Sequence, residues 1–184
     1  MAQEYIDIVS KKGISTGKSA IKSEIHSKGH CHNTVHIWFY TTEGEILLQQ
    51  RAASKVICPL LWDVSVAGHI EAGETIIAGA IREIQEEIGL TVSESDLKKI
   101  GVFKCFQSYP NGIIDNEFHH TFIAELSVQV FDLVPQEDEV EALKLISMYD
   151  FHDLLDHSET NGYFVASNNK YYHKVLEAIV NSIT

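Results

Sequence analysis

The sequence predicts an α/β layer fold, with a mixed β-sheet held between helices. Three observations lead there. From Thr75 onward, Ile77, Ile81, Ile84 and Ile88 recur at spacings of four, three and four, the period of an amphipathic helix. On both sides of that helix lie short runs rich in β-branched and aromatic residues, such as 33–40 and 100–109. The end of the chain turns helical again, with Val175, Ile179 and Ile183 four apart.

In chain order, Glu4–Val9 reads as a short strand around Asp7, and Lys11–Gly13 and Ser15–Gly17 as turns. Ser19–Ser27 reads as a short helix with Ile21 and Ile25 on one face, closed by Gly29. Asn33–Tyr40 and Glu45–Gln50, joined by the polar turn Thr41–Gly44, read as a hairpin. Arg51–Leu60 is a loop containing Pro59, and Trp62–Ala67 is a strand that delivers the chain to Gly68. After the helix at 75–89, Ser93–Leu97 is a connection. Ile100–Tyr109 and Ile113–Leu126 then pair across the turn Pro110-Asn111-Gly112. Pro135–Glu139 is an acidic loop, Val140–Ser147 a strand, and Asp150–His157 and Asn168–Ile183 are helices. With no repeat, low-complexity tract or linker, residues 1–184 are expected to form one domain, with 1–30 as an N-terminal extension packing on the core.

Composition narrows the function. A net charge of −12 argues against a surface that coats nucleic acid, although a bound metal can reverse the local field for a phosphate substrate. Cys31, Cys58 and Cys105 are scattered, with no CxxC, which fits reduced thiols better than a disulfide frame. The first residues lack the basic and apolar regions of a signal peptide, and no apolar run reaches membrane-spanning length. A cytoplasmic protein is expected.

Glu83, Glu86 and Glu87 stand at i, i+3 and i+4, on the face roughly opposite the isoleucines. Carboxylates so placed repel one another. A divalent cation would relieve that repulsion, and Mg²⁺ takes such oxygen ligands and shares them with substrate phosphates. The ordinary reading of an acidic run is a solvated helix face. Its flanks set this one apart. Gly68, five residues, Glu74, seven residues, Arg82-Glu83, Ile84, Gln85, Glu86-Glu87, Ile88, Gly89 and Leu90 fill every fixed position of the Nudix hydrolase signature, which residues 68–90 resemble.

That resemblance implies an α/β/α sandwich. It also implies metal-dependent hydrolysis of a diphosphate linkage in a nucleotide or nucleoside diphosphate derivative, a small-molecule substrate, with Mg²⁺ or Mn²⁺ as cofactor. Carried onto this sequence, Glu83, Glu86 and Glu87 are metal ligands, and Glu83 or Glu86 also contacts the attacking water. Arg82 orients the carboxylates, Glu74 organises the loop, and Gly68, His69 and Glu74 lie on the substrate side. Glu117, in Ile113-Ile-Asp-Asn-Glu-Phe, matches the further carboxylate that many family members supply as ligand or base. Many relatives pair as dimers, so a homodimer is left open. Nudix-fold proteins that only bind nucleotides usually lack a signature carboxylate, and none is missing here.

A wider segment, roughly 30–125, resembles type 1 isopentenyl-diphosphate isomerase, which shares the fold. His32 to Trp38, Leu47-Leu-Gln-Gln-Arg-Ala52, Lys55, Pro59, Trp62, Ala67-Gly-His69 and Asp115-Asn-Glu117 carry this likeness. His32, His69, Asp115 and Glu117 match positions of that enzyme's metal site. Ala67 replaces its reactive cysteine, and the acidic pattern that the isomerases have partly lost is complete at 82–87. Read from spacing alone, His26, His30, His32 and His36 match no standard zinc site and are expected to be polar strand and loop residues. Of His119 and His120, alternation sends one inward. Trp38, Trp62, Phe106 and Tyr109 suit either a core or a stacking surface.

Overall fold

The layers follow from period-two alternation along one strand, β3 (His32–Tyr40). Val35, Ile37 and Phe39 point to one face of the sheet, and Trp38 and Tyr40 to the other. The computed structural model describes residues 3–156, 160, 162–165 and 169–184. On the first face, helix α2 (Ile76–Ile88) lays Ile84 and Ile88 against β3, with Leu47 of β4 (Glu45–Arg51) and Phe122 of β8 (Ile114–Glu125). On the second, α3 (Met148–Asp156) and α4 (Asn169–Ile183) bury Phe151, Tyr171, Val175 and Ile179. The expected α/β/α sandwich is present.

The sheet is mixed. Its path runs β5 (Trp62–Asp63), β4, β3, β8 and β7 (Lys98–Ser108), with β6 (Val66–His69) on β3 and β9 (Val140–Ser147) on β4. β3 and β8 are parallel neighbours, and the other pairs are antiparallel.

The expected hairpin at 33–50 is open. β3 and β4 meet at Tyr40 and Ile46, and then part. β6 takes the edge of β3 over Thr34–Ile37, while β4 turns to β9 and β5. The strand expected at 62–67 is accordingly split. Its first part pairs with β4, and its second with β3. Buried Ser65 fills the wedge between them: its hydroxyl donates to Leu47 O at 2.5 Å and accepts from Phe39 N–H at 2.9 Å.

The N-terminal extension forms its own two-stranded sheet, β1 (Tyr5–Val9) with β2 (Ser15–Ile21), over a small core of Ile6, Ala20 and Ile25. Ser15–Gly17 therefore belongs to β2 rather than a turn: Ser15 pairs with Val9, and Thr16 and Gly17 lie in the irregularity before Lys18 pairs with Ile8. The next helix, α1 (Lys22–Lys28), starts later than expected and ends at Gly29, whose φ of 63° is left-handed. Tyr5 O and Asp7 Oδ2 accept from the Ala72 and Gly73 N–H groups, tying the extension to the signature loop. α2 begins at Thr75, which caps Ala78 N–H, and ends at left-handed Gly89, as read. His157 and Asn168, expected at helix ends, lie outside the described residues. No helix among the described residues is long and apolar enough to cross a membrane.

Ser65→Ala removes a partner from two buried backbone groups. It should lower stability by about 1–3 kcal/mol in a denaturant titration, with the fold retained.

Candidate active site and metal centre

A cleft of about 1210 Å³ opens where the extension, the signature loop, α2 and β8 meet. Four elements bring His26 of α1, His32 of β3, His69 of β6 and Glu117 of β8 together there. One ligand atom from each lies within 4.8 Å of the others, the one such group among the described residues. The parallel register sets His32 beside Glu117.

The outer nitrogens define the chemistry. His26 Nδ1 donates to Asp115 Oδ1 at 3.0 Å, and His32 Nδ1 donates to His30 O at 2.9 Å. His69 Nδ1 faces Glu4 Oε1 at 3.6 Å. In neutral rings so held, the inner Nε2 atoms carry lone pairs. Yet His26 Nε2 lies 3.1 Å from His69 Nε2, and His32 Nε2 lies 3.2 Å from Glu117 Oε1. Acceptors facing acceptors fit a cation between them. Three imidazoles and one carboxylate suit Mn²⁺ or another transition-type ion better than Mg²⁺, which prefers oxygen. Burial holds His69 well below the usual imidazole range, reinforced by Lys22 and His32, and this favours the neutral, ligating form. Burial would also lower His32, but the bond to Glu117 and its charge outweigh it.

This arrangement brings together His26 and His32, which spacing alone read as ordinary polar residues. Ligands drawn from four separated elements leave no short spacing to recognise. The available signal was the isomerase likeness at 32, 69 and 117. Asp115, which that likeness placed at the metal, is bonded instead to the outer edge of His26.

The signature residues form the other side of the cleft. The Arg82 guanidinium makes a two-bond fork with Glu74 (3.0 and 3.0 Å) and bonds Glu83 Oε1 (2.8 Å), Glu86 Oε2 (2.9 Å) and His69 O (2.8 Å). Glu74 also accepts from Glu71 N–H, so it is turned to the loop. Glu87 does not lie on a solvated face. It is buried against the sheet, accepting from Ala67 N–H and Gln49 Nε2, both at 3.1 Å. Burial, then the neighbouring Glu83, push its carboxyl well above the usual range. Burial raises Glu83 too, against the pull of Arg82. A side-chain carbon on Gly68 would lie 2.0 Å from the Glu83 carboxyl carbon, so only glycine leaves that carboxylate its place. The three glutamates line the same cleft without closing into one cluster. Lys22, Arg51 and Lys55 line the same cleft, three cations that spacing did not single out.

Further along β3 and β8 the same face carries a polar floor. His119 is the inward member of its pair, bonded through Nδ1 to Thr34 Oγ1 at 2.9 Å, while His120 bonds Asn33 and Lys99. His36 Nδ1 and Trp38 Nε1 both bond the Tyr171 hydroxyl at 2.8 Å. Trp38 is fully buried, Tyr109 lines the cleft, and Phe106 is exposed. Burial pushes His36 and His119 down to about 3.

The layer order, with an arginine-ordered acidic helix leaning on a glycine loop, defines the class: an α/β/α protein of Nudix architecture. The chain belongs to the Nudix family, since the NUDIX domain matches residues 31–167. It is 34% identical over 186 residues to Nudix hydrolase 3 of Arabidopsis thaliana, covering 97% of this chain but 24% of that protein. It is also 34% identical over 157 residues to isopentenyl-diphosphate Delta-isomerase 2 of Photorhabdus laumondii, covering 84% of each. The structure of DR0079 from Deinococcus radiodurans superposes with a TM-score of 0.68 over 97% of this chain and 98% of that one, at 15% identity, a likeness of fold. The family generally uses divalent metals.

Gly68→Ala should displace Glu83 and weaken Mn²⁺ and Mg²⁺ binding by about 10- to 100-fold in calorimetric titration. The His36 and His119 shifts also set a pH dependence. Their unfolded values lie near about 6.5, so the stability that their neutral forms contribute is complete above that pH and is lost as pH falls toward about 3. The denaturation midpoint of metal-free protein should fall over this window, and less steeply in His36→Gln.

Proposed function

We propose that the protein is a divalent-metal-dependent hydrolase that cleaves a diphosphate linkage in a nucleotide or other nucleoside diphosphate derivative. The reading is carried by one observation. Glu83, Glu86 and Glu87 share a cleft with Lys22, Arg51 and Lys55, so carboxylates for cations and ammonium and guanidinium groups for phosphates face one space. A divalent ion, when bound, supplies positive charge against the phosphoryl oxygens and makes phosphorus more open to attack.

The chain's residues do the rest. Lys22, Arg51 and Lys55 bind and orient the diphosphate. Lys55 is itself held by Glu139, and Arg51 by Asp63 at 3.1 Å and Ile57 O at 3.1 Å. Glu83, Glu86 and Glu87 would hold Mg²⁺ or Mn²⁺, and His26, His32, His69 and Glu117 would hold an Mn²⁺-like ion. Arg82 fixes Glu83 and Glu86, either of which can position the attacking water and take its proton.

Isomerisation of isopentenyl diphosphate is the second reading, favoured by the relatives that carry that name. It requires a proton-handling group beside Gly68. Ala67 offers only a methyl, and its N–H is committed to Glu87.

A panel of nucleoside di- and triphosphates, nucleotide sugars, dinucleotide polyphosphates and isopentenyl diphosphate, assayed with Mg²⁺ and Mn²⁺, tests both readings. Phosphate-linkage cleavage is expected, without conversion to dimethylallyl diphosphate. Glu86→Gln should cut turnover by about 10²- to 10⁴-fold at saturating metal. Glu117→Gln should weaken metal binding, with excess Mn²⁺ partly restoring the rate. Isomerisation above a no-enzyme control would overturn its expected absence, and no cleavage of any diphosphate with either metal would overturn the hydrolase reading.

A further inference from the structure

The floor of the cleft is a ladder set by the parallel register of β3 and β8. His32 lies beside Glu117, then Thr34 beside His119, then His36 beside Thr121, and finally Trp38 beside Ile123. The first rung belongs to the metal tetrad. The next rungs begin two residues along, about 6.6 Å at strand rise, so they lie where the group attached to a bound diphosphate must go. Glu117 Oε2 sits 3.5 Å from His119 Nδ1, which makes the two regions continuous.

These rungs point an unused hydrogen-bonding edge into the cleft. His36 and His119 both line it, and their rings stand 3.9 Å apart between centroids, inclined at 35°. The Nδ1 atom of each is taken, by Tyr171 and by Thr34. Neither Nε2 has a partner among the described residues. The one buried side-chain polar atom without a partner there is Gln49 Oε1, so both Nε2 atoms reach the cleft.

We propose that His36 and His119 are specificity determinants that hydrogen-bond neighbouring hydroxyls of a compact sugar or polyol attached to the diphosphate. The inference rests on the diphosphate reading of the cleft, and it names the substrate's other part. A neutral imidazole nitrogen is a donor or an acceptor depending on the tautomer, and a hydroxyl serves either. The Tyr171 hydroxyl, fixed by Trp38 Nε1–H, holds the His36 ring in place. A prenyl tail on this floor would bury two imidazole nitrogens unpaired, which is costly. On this floor a nucleobase would find the indole and phenol rings closed to stacking, because Trp38 is 0% and Tyr171 3% exposed. Burial keeps His36 uncharged at neutral pH, so the floor does not compete with the basic rim for phosphate.

The test separates recognition from turnover. Methylenediphosphonate analogues of ribitol 5-diphosphate and isopentenyl diphosphate cannot be cleaved between their phosphorus atoms. Binding of both to the full chain is measured by calorimetry in Mn²⁺. The polyol analogue should bind at least about tenfold tighter, as expected of a site whose polar groups need partners. His36→Phe and His119→Leu, checked for folding by circular dichroism, should each shrink that ratio by about tenfold. Equal or tighter binding of the prenyl analogue, or no binding of the polyol analogue, overturns the proposal. So does a ratio unchanged in both folded variants. If a variant fails to fold, the comparison on the parent protein decides. A polyol preference without hydrolysis of any parent diphosphate would sink the hydrolase reading and leave this one standing.

Discussion

The parallel pairing of β3 with β8 is the constraint on which the site depends. Its register puts His32 against Glu117 and Trp38 against Ile123 on one face of the sheet. Because side chains alternate, a one-residue slip of β3 would send His32, Thr34, His36 and Trp38 to the α2 side, away from Glu117, and bring Val35, Ile37 and Phe39 into the cleft. The same register therefore builds part of the His–Glu cluster, the polar floor and the second core. Along the ladder the chemistry grades from ionic to apolar, His32 and Glu117 first, then Thr34 and His119, then the Trp38–Tyr171 pair.

Arg82 performs the matching task on α2. Glutamates three and four apart would push one another away, and its five hydrogen bonds gather Glu74, Glu83, Glu86 and the His69 carbonyl around one cation. The signature loop, His69 and the acidic face are thus fixed by a single guanidinium. The N-terminal extension completes the enclosure. It contributes His26, ties the loop through Tyr5 and Asp7, and places Lys22 at the rim.

Burial works on both signs of charge in this cleft. It raises the Glu83 and Glu87 carboxyls and lowers His36, His69 and His119, moving each toward its neutral form. Imidazoles so treated keep the lone pairs that a metal or a hydroxyl needs. In a protein with a net charge of −12, Lys22, Arg51 and Lys55 still bring positive charge to this cleft, where local geometry governs the field.

The isoleucine period, the Thr75 and Gly89 caps and the Gly68-to-Leu90 pattern were legible because they are local. They depend on residues within a few turns of one another, and α2 formed as read. The splitting of 62–69 between two partners, the open β3–β4 pair and the strand at 15–17 were not legible. Each depends on which backbone edge a distant segment occupies. The site divides in the same way. Residue types and the acidic spacing came from the chain itself, and family likeness added Glu117 and His69. The gathering of His26, His32, His69 and Glu117, the turning of Asp115 onto His26 and the burial of Glu87 were decided by tertiary structure. Coordination and desolvation are set by distances across elements far apart in sequence, and no periodicity along one chain encodes those.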